Sequence, residues 1–307
     1  MLATTLPLIR SVPPSAPVEN KAAALILKEA YPASAFRRPP RAAAEQERRL
    51  ATISAIQPLA AAWPISRRTW LHQYRVPIRG LPAALDGLQI LFICDLHLCP
   101  RHPERAADLR ALAFYLEAAR KRVDLLILGG DMIVSKAGDL DAAALRPLAD
   151  RVPVGSRLFV LGNHDYCGRS AKALQGNLAR LGFKPLDNVL VAVTIEGARL
   201  NICGLAERKS GVSLVPDEIK MRCGETNILV THSLDNLTRK TPVVFDLVLS
   251  GHFHGGEAHI GPINGLHFLK LAGYSRDINR QIYGWEMLSD RARSYVCLLY
   301  TSPSPRD

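Results

Sequence analysis

From Tyr74 onward, short apolar runs alternate with amphipathic stretches. Leu88-Gln89-Ile90-Leu91-Phe92-Ile93 is a nearly unbroken apolar run that predicts a buried strand. Between residues 105 and 121, Leu109, Leu112, Ala113, Leu116 and Ala119 recur at helical spacing and predict an amphipathic helix. Leu125-Leu126-Ile127-Leu128 predicts the next strand and residues 140–149 the next helix. Residues 157–161 predict a third strand, and 170–181 a helix closed by Gly182. This β-α-β-α-β-α order implies strands joined by crossover helices. Later runs, at 189–194, 200–203, 228–230 and 247–249, are closely spaced and strand-like. The pattern predicts an α/β fold: a two-sheet β-sandwich flanked by helices, in one domain.

Composition separates that domain from the two ends. The 307 residues are 48% hydrophobic and 22% charged, ordinary values for a globular chain. No apolar stretch approaches the roughly 18 residues of a membrane-spanning helix. Of the net charge of +11, residues 1–68 carry +6, with ten Lys or Arg against four Glu. That region is rich in Ala, Pro and Arg and reads as a linker-like or disordered basic extension, apart from a short helix expected at 50–62. Ser66-Arg67-Arg68-Thr69-Trp70-Leu71 resembles a twin-arginine export signal, but His72-Gln73-Tyr74-Arg75 stands where an apolar run is needed. The expected location is therefore cytoplasmic or peripheral at the inner membrane face. No aromatic or amphipathic pattern accompanies the charge, so no specific nucleic-acid partner is expected, and peripheral membrane contact is the sharper alternative to a solvated tail.

Cys297 to Asp307 matches the translation of a transposase sequencing adapter. On that reading the domain covers 69–296, is truncated at its C-terminus, and 297–307 is an artefact. Six cysteines, at 94, 99, 167, 203, 223 and 297, form no C-x-x-C pair, so neither a thiolate zinc site nor a dithiol motif is indicated.

The chemistry stands at the strand ends. Asp95-Leu96-His97 follows the first predicted strand, Gly129-Gly130-Asp131 the second, and Gly162-Asn163-His164-Asp165 the third. His232 follows the strand at 228–230, and Gly251-His252-Phe253-His254 the strand at 247–249. Strand ends in an open α/β sheet share one edge, so these loops can converge on one crevice. Carboxylate, imidazole and amide donors without thiolate suit two divalent ions: Mn, Fe or Zn. One site takes Asp95, His97 and His254, the other Asn163, His232 and His252, with Asp131 bridging. Two such ions activate a shared water for in-line attack on phosphorus. His164 is left to protonate the leaving oxygen, oriented by Asp165 through a hydrogen bond. Arg101, Arg169, Arg208 and Lys209 are candidates to bind substrate phosphate.

These five motifs, in this order, resemble the calcineurin-like metallophosphoesterase family over about residues 74–296. The resemblance implies a four-layer αββα sandwich and a metal-dependent phosphohydrolase. Gly162-Asn163-His164-Asp165-Tyr166 and Gly251-His252-Phe253-His254-Gly255-Gly256 are most similar to the branch of YkuE-type phosphoesterases. That branch also holds the UDP-2,3-diacylglucosamine pyrophosphatases of lipid A synthesis. It implies a small-molecule or lipid phosphoester substrate, with a broad phosphodiesterase or phosphomonoesterase as the alternative and a non-catalytic metal-binding scaffold as the remote one. Cys94, Phe253, Glu257 and Glu207 depart from the branch pattern without removing a ligand.

Overall fold

A computed structural model describes residues 70–134, 144–152, 154–166, 170–207, 225–237, 245–253, 284–288 and 292–297, with short extended pieces at 4–5, 57–58 and 63–64. The first half builds a parallel sheet from β1 (Ile90–Ile93), β2 (Val123–Leu128), β3 (Val154–Phe159) and β4 (Phe183–Pro185), in that spatial order. Between the strands run α1 (Pro103–Ala118), α2 (Arg146–Arg151), the one-turn α3 (Asn163–Tyr166) and α4 (Ser170–Arg180).

The second sheet holds β5 (Leu190–Ile195), β6 (Ala198–Leu205), β7 (Thr226–Thr231), β8 (Leu247–Ser250), β9 (Gly284–Met287) and β10 (Arg293–Val296). Its order is Thr4–Thr5, β5, β6, β7, β8, β10, β9. β6, β7, β8 and β10 are parallel neighbours, whereas β5–β6 and β9–β10 are antiparallel. The parallel strands of both sheets therefore end on common edges.

Period-two alternation along the strands assigns the cores. Leu125 and Ile127 of β2 meet Ile228 and Val230 of β7 and Leu247 and Leu249 of β8 between the sheets. Leu126 and Leu128 point the other way, against Leu109, Leu112 and Leu116 of α1, Leu148 of α2 and Leu174 and Leu178 of α4. On the outer face of the second sheet, Leu229 and Val248 pack with Leu234 of the 3-10 turn Leu234–Asn236. Helices, sheet and sheet thus supply three of the four expected layers. Among the described residues, that single turn is the helical element on the fourth side.

The α/β sandwich is the one expected, with local differences. The helix expected at 140–149 is described only as Arg146–Arg151, where Pro147 in its first turn has no backbone N–H to satisfy. β3 starts at Val154, three residues before its expected start, and β6 runs from 198 to 205. The short helix expected at 50–62 is corrected in part: Gln57–Pro58 is extended and pairs antiparallel with Tyr74–Arg75. Pro58 is poorly suited to a helix interior, lacking a donor and crowding the preceding turn. Cys297, first residue of the adapter-like stretch, donates its backbone N–H to Ser250 at 2.7 Å and so extends the β8–β10 pairing. Among the described residues, Cys94, Cys99, Cys203 and Cys297 form no disulfide. No helix among the described residues is long and apolar enough to cross a membrane.

The inter-sheet core makes a direct prediction. Leu158 is fully buried there, whereas Phe114 is 39% exposed on α1. Leu158→Ala should cost about 2–5 kcal/mol in urea unfolding, and Phe114→Ala less than about 0.5 kcal/mol.

Candidate metal centre

Each strand end delivers its side chain through a backbone that must turn sharply. Asp95, His97, Asp131 and His252 all have positive φ, between 44° and 75°. Such conformations cost non-glycine residues roughly 1–3 kcal/mol each and survive only where neighbours enforce them. Here hydrogen bonds between loops do so. Asp95 N donates to Gly130 O and His97 N to Asp131 O, both at 2.9 Å. His252 N donates to the Asp95 carboxylate, 3.0 Å from Oδ2. Two glycines allow the loops to approach. A Cβ on Gly130 (φ 93°) would lie 2.6 Å from His232 Nδ1, and one on Gly162 would collide with the Asp131 carboxylate and backbone.

Around Asp131 the side chains converge. His232 Nε2 lies 3.2 Å from Asp131 Oδ2, 3.2 Å from Asn163 Oδ1 and 3.2 Å from His252 Nδ1. His232 Nδ1 is 2.9 Å from Gly129 O. As a donor to that carbonyl it leaves Nε2 to face the cluster. His97 Nε2 is 3.8 Å from the same Asp131 Oδ2, and His164 Nε2 is 4.0 Å away. Atoms that bind one ion at about 2.0–2.2 Å stand roughly 3–3.5 Å from each other. Asp131, His232 and His252 form one group that could hold an ion, with Asn163 Oδ1 beside it, and His97, Asp131 and His164 form a second.

The carboxylates and imidazoles shift each other. Burial would drive the Asp131 carboxyl up, but His232, and more weakly His97, hold it below its ordinary value. Burial would likewise lower His232, yet the Asp131 charge and hydrogen bond, with Asp95 and Gly129 adding to them, raise it to about 10. Asp165 is pushed up to about 7 by burial and by the Asp131 charge, against the backbone donors that favour its anion.

Of the residues expected at the site, Asp95, His97, Asp131, Asn163, His164, His232 and His252 gather here. His254, Arg169, Arg208 and Lys209 lie outside the described residues, and Arg101 is exposed in the loop before α1. Asp165 requires a correction. Its carboxylate accepts the backbone N–H groups of Gly162, Met132 and Ile133 at 2.9, 3.0 and 3.1 Å. His164 Nδ1 has no hydrogen-bond partner among the described residues. Asp165 therefore ties the 162–165 turn to the 131–133 loop and does not orient His164.

Two neighbours escaped the sequence reading. Arg105 Nη1 donates to His97 O at 2.5 Å. Its only signal in sequence is a cation in a first helical turn, where the helix dipole disfavours it. Asp187 accepts from Leu161 N at 3.1 Å and from the Tyr166 hydroxyl at 3.4 Å, on the two flanks of the Asn163–His164 turn.

The sequence model of the calcineurin-like phosphoesterases matches residues 88–256, more than half of the chain, and the chain belongs to that family. Its domain implies metal-dependent phosphoester hydrolysis. The uncharacterized metallophosphoesterase YkoQ of Bacillus subtilis (strain 168) is 28% identical over 183 residues, covering 59% of this chain and 65% of that protein. The uncharacterized metallophosphoesterase YkuE of the same organism is 26% identical over 196 residues, covering 60% and 65%. The match thus spans just under two thirds of the length of either relative. Among solved structures, the 5'-nucleotidase precursor of Thermus thermophilus aligns at TM-score 0.38 and 19% identity, over 54% of this chain and 42% of that one.

A metal ligand must be neutral imidazole, whereas metal-free His232 holds its proton at neutral pH. Loading should therefore release about one proton from this residue. Calorimetric titration with Mn²⁺ at pH 7.5, in buffers of different ionisation enthalpy, checks it; buffer-independent heats would contradict it. Because the folded value of His232 is raised, its contribution to metal-free stability is full below about 6.5 and lost as pH rises through about 10.

Proposed function

We propose that this chain is a two-metal phosphohydrolase that cleaves a phosphoester or pyrophosphate at the cluster around Asp131. One observation carries the reading. Oxygen and nitrogen donors from the ends of β2, β7 and β8 and from the turn after β3 meet at 3.2 Å spacing, beside an imidazole that faces solvent. Two divalent ions held there supply Lewis acidity toward phosphoryl oxygens and make a bound water more acidic.

The chain's own residues do the rest. Asp131 lies among both groups of donors and would bridge them; Asn163, His232 and His252 would complete one, and His97, Asp95 and His254 the other. His164 has 42% of its side chain exposed and packs edge-on against His97, with ring centroids 4.9 Å apart. That position suits transfer of a proton to the departing oxygen. Its backbone N–H donates to Asp131 Oδ1 at 2.8 Å, so the proton donor and the bridging carboxylate are held in one frame. Mixed oxygen and imidazole donors suit Mn, Fe or Zn.

The finer reading, cleavage of UDP-2,3-diacylglucosamine at its pyrophosphate with the chain peripheral to the inner membrane, is supported by the 162–166 and 251–256 motifs. Arg101, Arg169, Arg208 and Lys209 are its candidate phosphate contacts. Broad action on phosphodiesters or phosphomonoesters is the competing version.

The Mn²⁺-loaded protein should hydrolyse bis-p-nitrophenyl phosphate or p-nitrophenyl phosphate, and UDP-diacylglucosamine with higher kcat/KM if the finer reading holds. His164→Ala should keep two metals by elemental analysis and lose about 10²–10⁴ in kcat. Unchanged turnover in that variant would remove the acid role. A wild type that binds two metals and cleaves none of the three substrates would be a binding scaffold instead.

A further inference from the structure

The one-turn helix α3 carries Asn163 and His164 but is too short to hold itself. Four residues close a single turn, so its position must come from outside groups. Two of these lie within the centre: Asp131 Oδ1 takes the His164 N–H, and the backbone N–H groups of Met132 and Ile133 donate to Asp165 of the turn. The third comes from elsewhere. Asp187 accepts from the N–H of Leu161, just before the turn, and from the hydroxyl of Tyr166, its last residue. A single carboxylate thus grips both flanks of the segment that bears a ligand and the proton donor.

Asp187 is itself well anchored. Leu186 N donates to Phe159 O at 2.8 Å, continuing the pairing of the first sheet. Asp187 forms a parallel bridge with Gly204 of β6 in the second sheet. The turn is closed by Val189 N to Leu186 O at 2.9 Å, with Asn188 at φ 55°, and Asn188 Oδ1 accepts from Ala206 N at 3.1 Å. The grip therefore starts from the junction of both sheets. Burial raises the Asp187 carboxyl to about 6, against the donors at Leu161 and Tyr166 that favour its anion. The two donors offset part of the cost of burying the acid.

We propose that Asp187 is a positioning residue: it fixes the Leu161–Tyr166 segment so that Asn163 reaches the His232–His252 group and His164 faces the substrate. The proposal rests on the phosphohydrolase reading for its catalytic half, and on the metal centre alone for its binding half. Outer groups of this kind typically alter metal affinity or activity by about 10–100-fold when removed.

The test uses the full chain and four proteins: wild type, Asp187→Ala, Asp187→Asn and Tyr166→Phe. Affinity for Mn²⁺ is read by calorimetry, and turnover on bis-p-nitrophenyl phosphate separately. Asp187→Ala should weaken the tighter Mn²⁺ site about 10-fold and lower kcat by about 10-fold or more, with KM within about twofold. Asp187→Asn should recover most of both, because its amide oxygen still accepts from Leu161 N–H and its amide nitrogen can donate to the Tyr166 oxygen. Tyr166→Phe should lose about threefold in each, since the Leu161 contact survives. If Asp187→Ala fails to fold, Tyr166→Phe decides: unchanged affinity overturns the proposal. Equal impairment of the Ala and Asn variants, or wild-type values in both, also overturns it. A wild type that binds Mn²⁺ but turns over nothing sinks the phosphohydrolase reading, while the affinity series still judges Asp187.

Discussion

A carboxylate removed from water persists as an anion only where positive charge or donors replace the lost solvent. Asp131, 1% exposed at the end of β2, is in that position. His232 and His97 supply charge and the His164 N–H a donor, and the rest of the centre answers to this arrangement. His232 retains its proton because Asp131 lies beside it. Asp165, buried near the same charge, is disfavoured as an anion and depends on three backbone donors. With its protons displaced, such a cluster has an excess of lone pairs directed at one point, which is what a divalent cation requires.

Topology makes the gathering possible. Parallel strands in each sheet bring Asp95, Asp131 and Asn163 to one edge of the first, and His232 and His252 to the matching edge of the second. The backbones of Asp95, Asp131 and His252, and of His97 beside them, are forced to positive φ as they turn off the strands. The stabilising contacts are mostly backbone to backbone or backbone to carboxylate, so a few acidic side chains organise many loops. Arg105 adds a charged donor on the His97 carbonyl from the first turn of α1.

Much of this was legible in sequence, for definite reasons. Strands buried on both faces, such as Val123–Leu128, read as apolar runs. Ligand motifs directly after them were therefore recognisable at strand ends. β4 and β10 went unread because Phe183-Lys184-Pro185 and Arg293-Ser294-Tyr295-Val296 are short and half polar. The extended pairing at Gln57–Pro58 depends on partners 16 and 18 residues away that no local pattern reveals. Within the site, the candidate ligands stood in the strand-end motifs, whereas the contacts behind them had no local signal. Adjacency of His164 and Asp165 suggested a pair, yet successive residues of a turn point apart, and Asp165 faces inward to three amides. The clasp by Asp187 joins groups 26 and 21 residues distant, and is visible only once β4 and the following turn are folded.

The parallel bridge between Asp187 and Gly204 joins the two sheets on the same side as the donors they contribute. No fragment confined to one sheet contains the whole ligand set. An ion held by that set would act as a staple between the N-terminal and C-terminal halves of the chain, and by mass action would favour the docked state over any half-assembled one. Small changes in how the sheets seat against each other, even in core residues far from the ions, are then read out as changes in affinity.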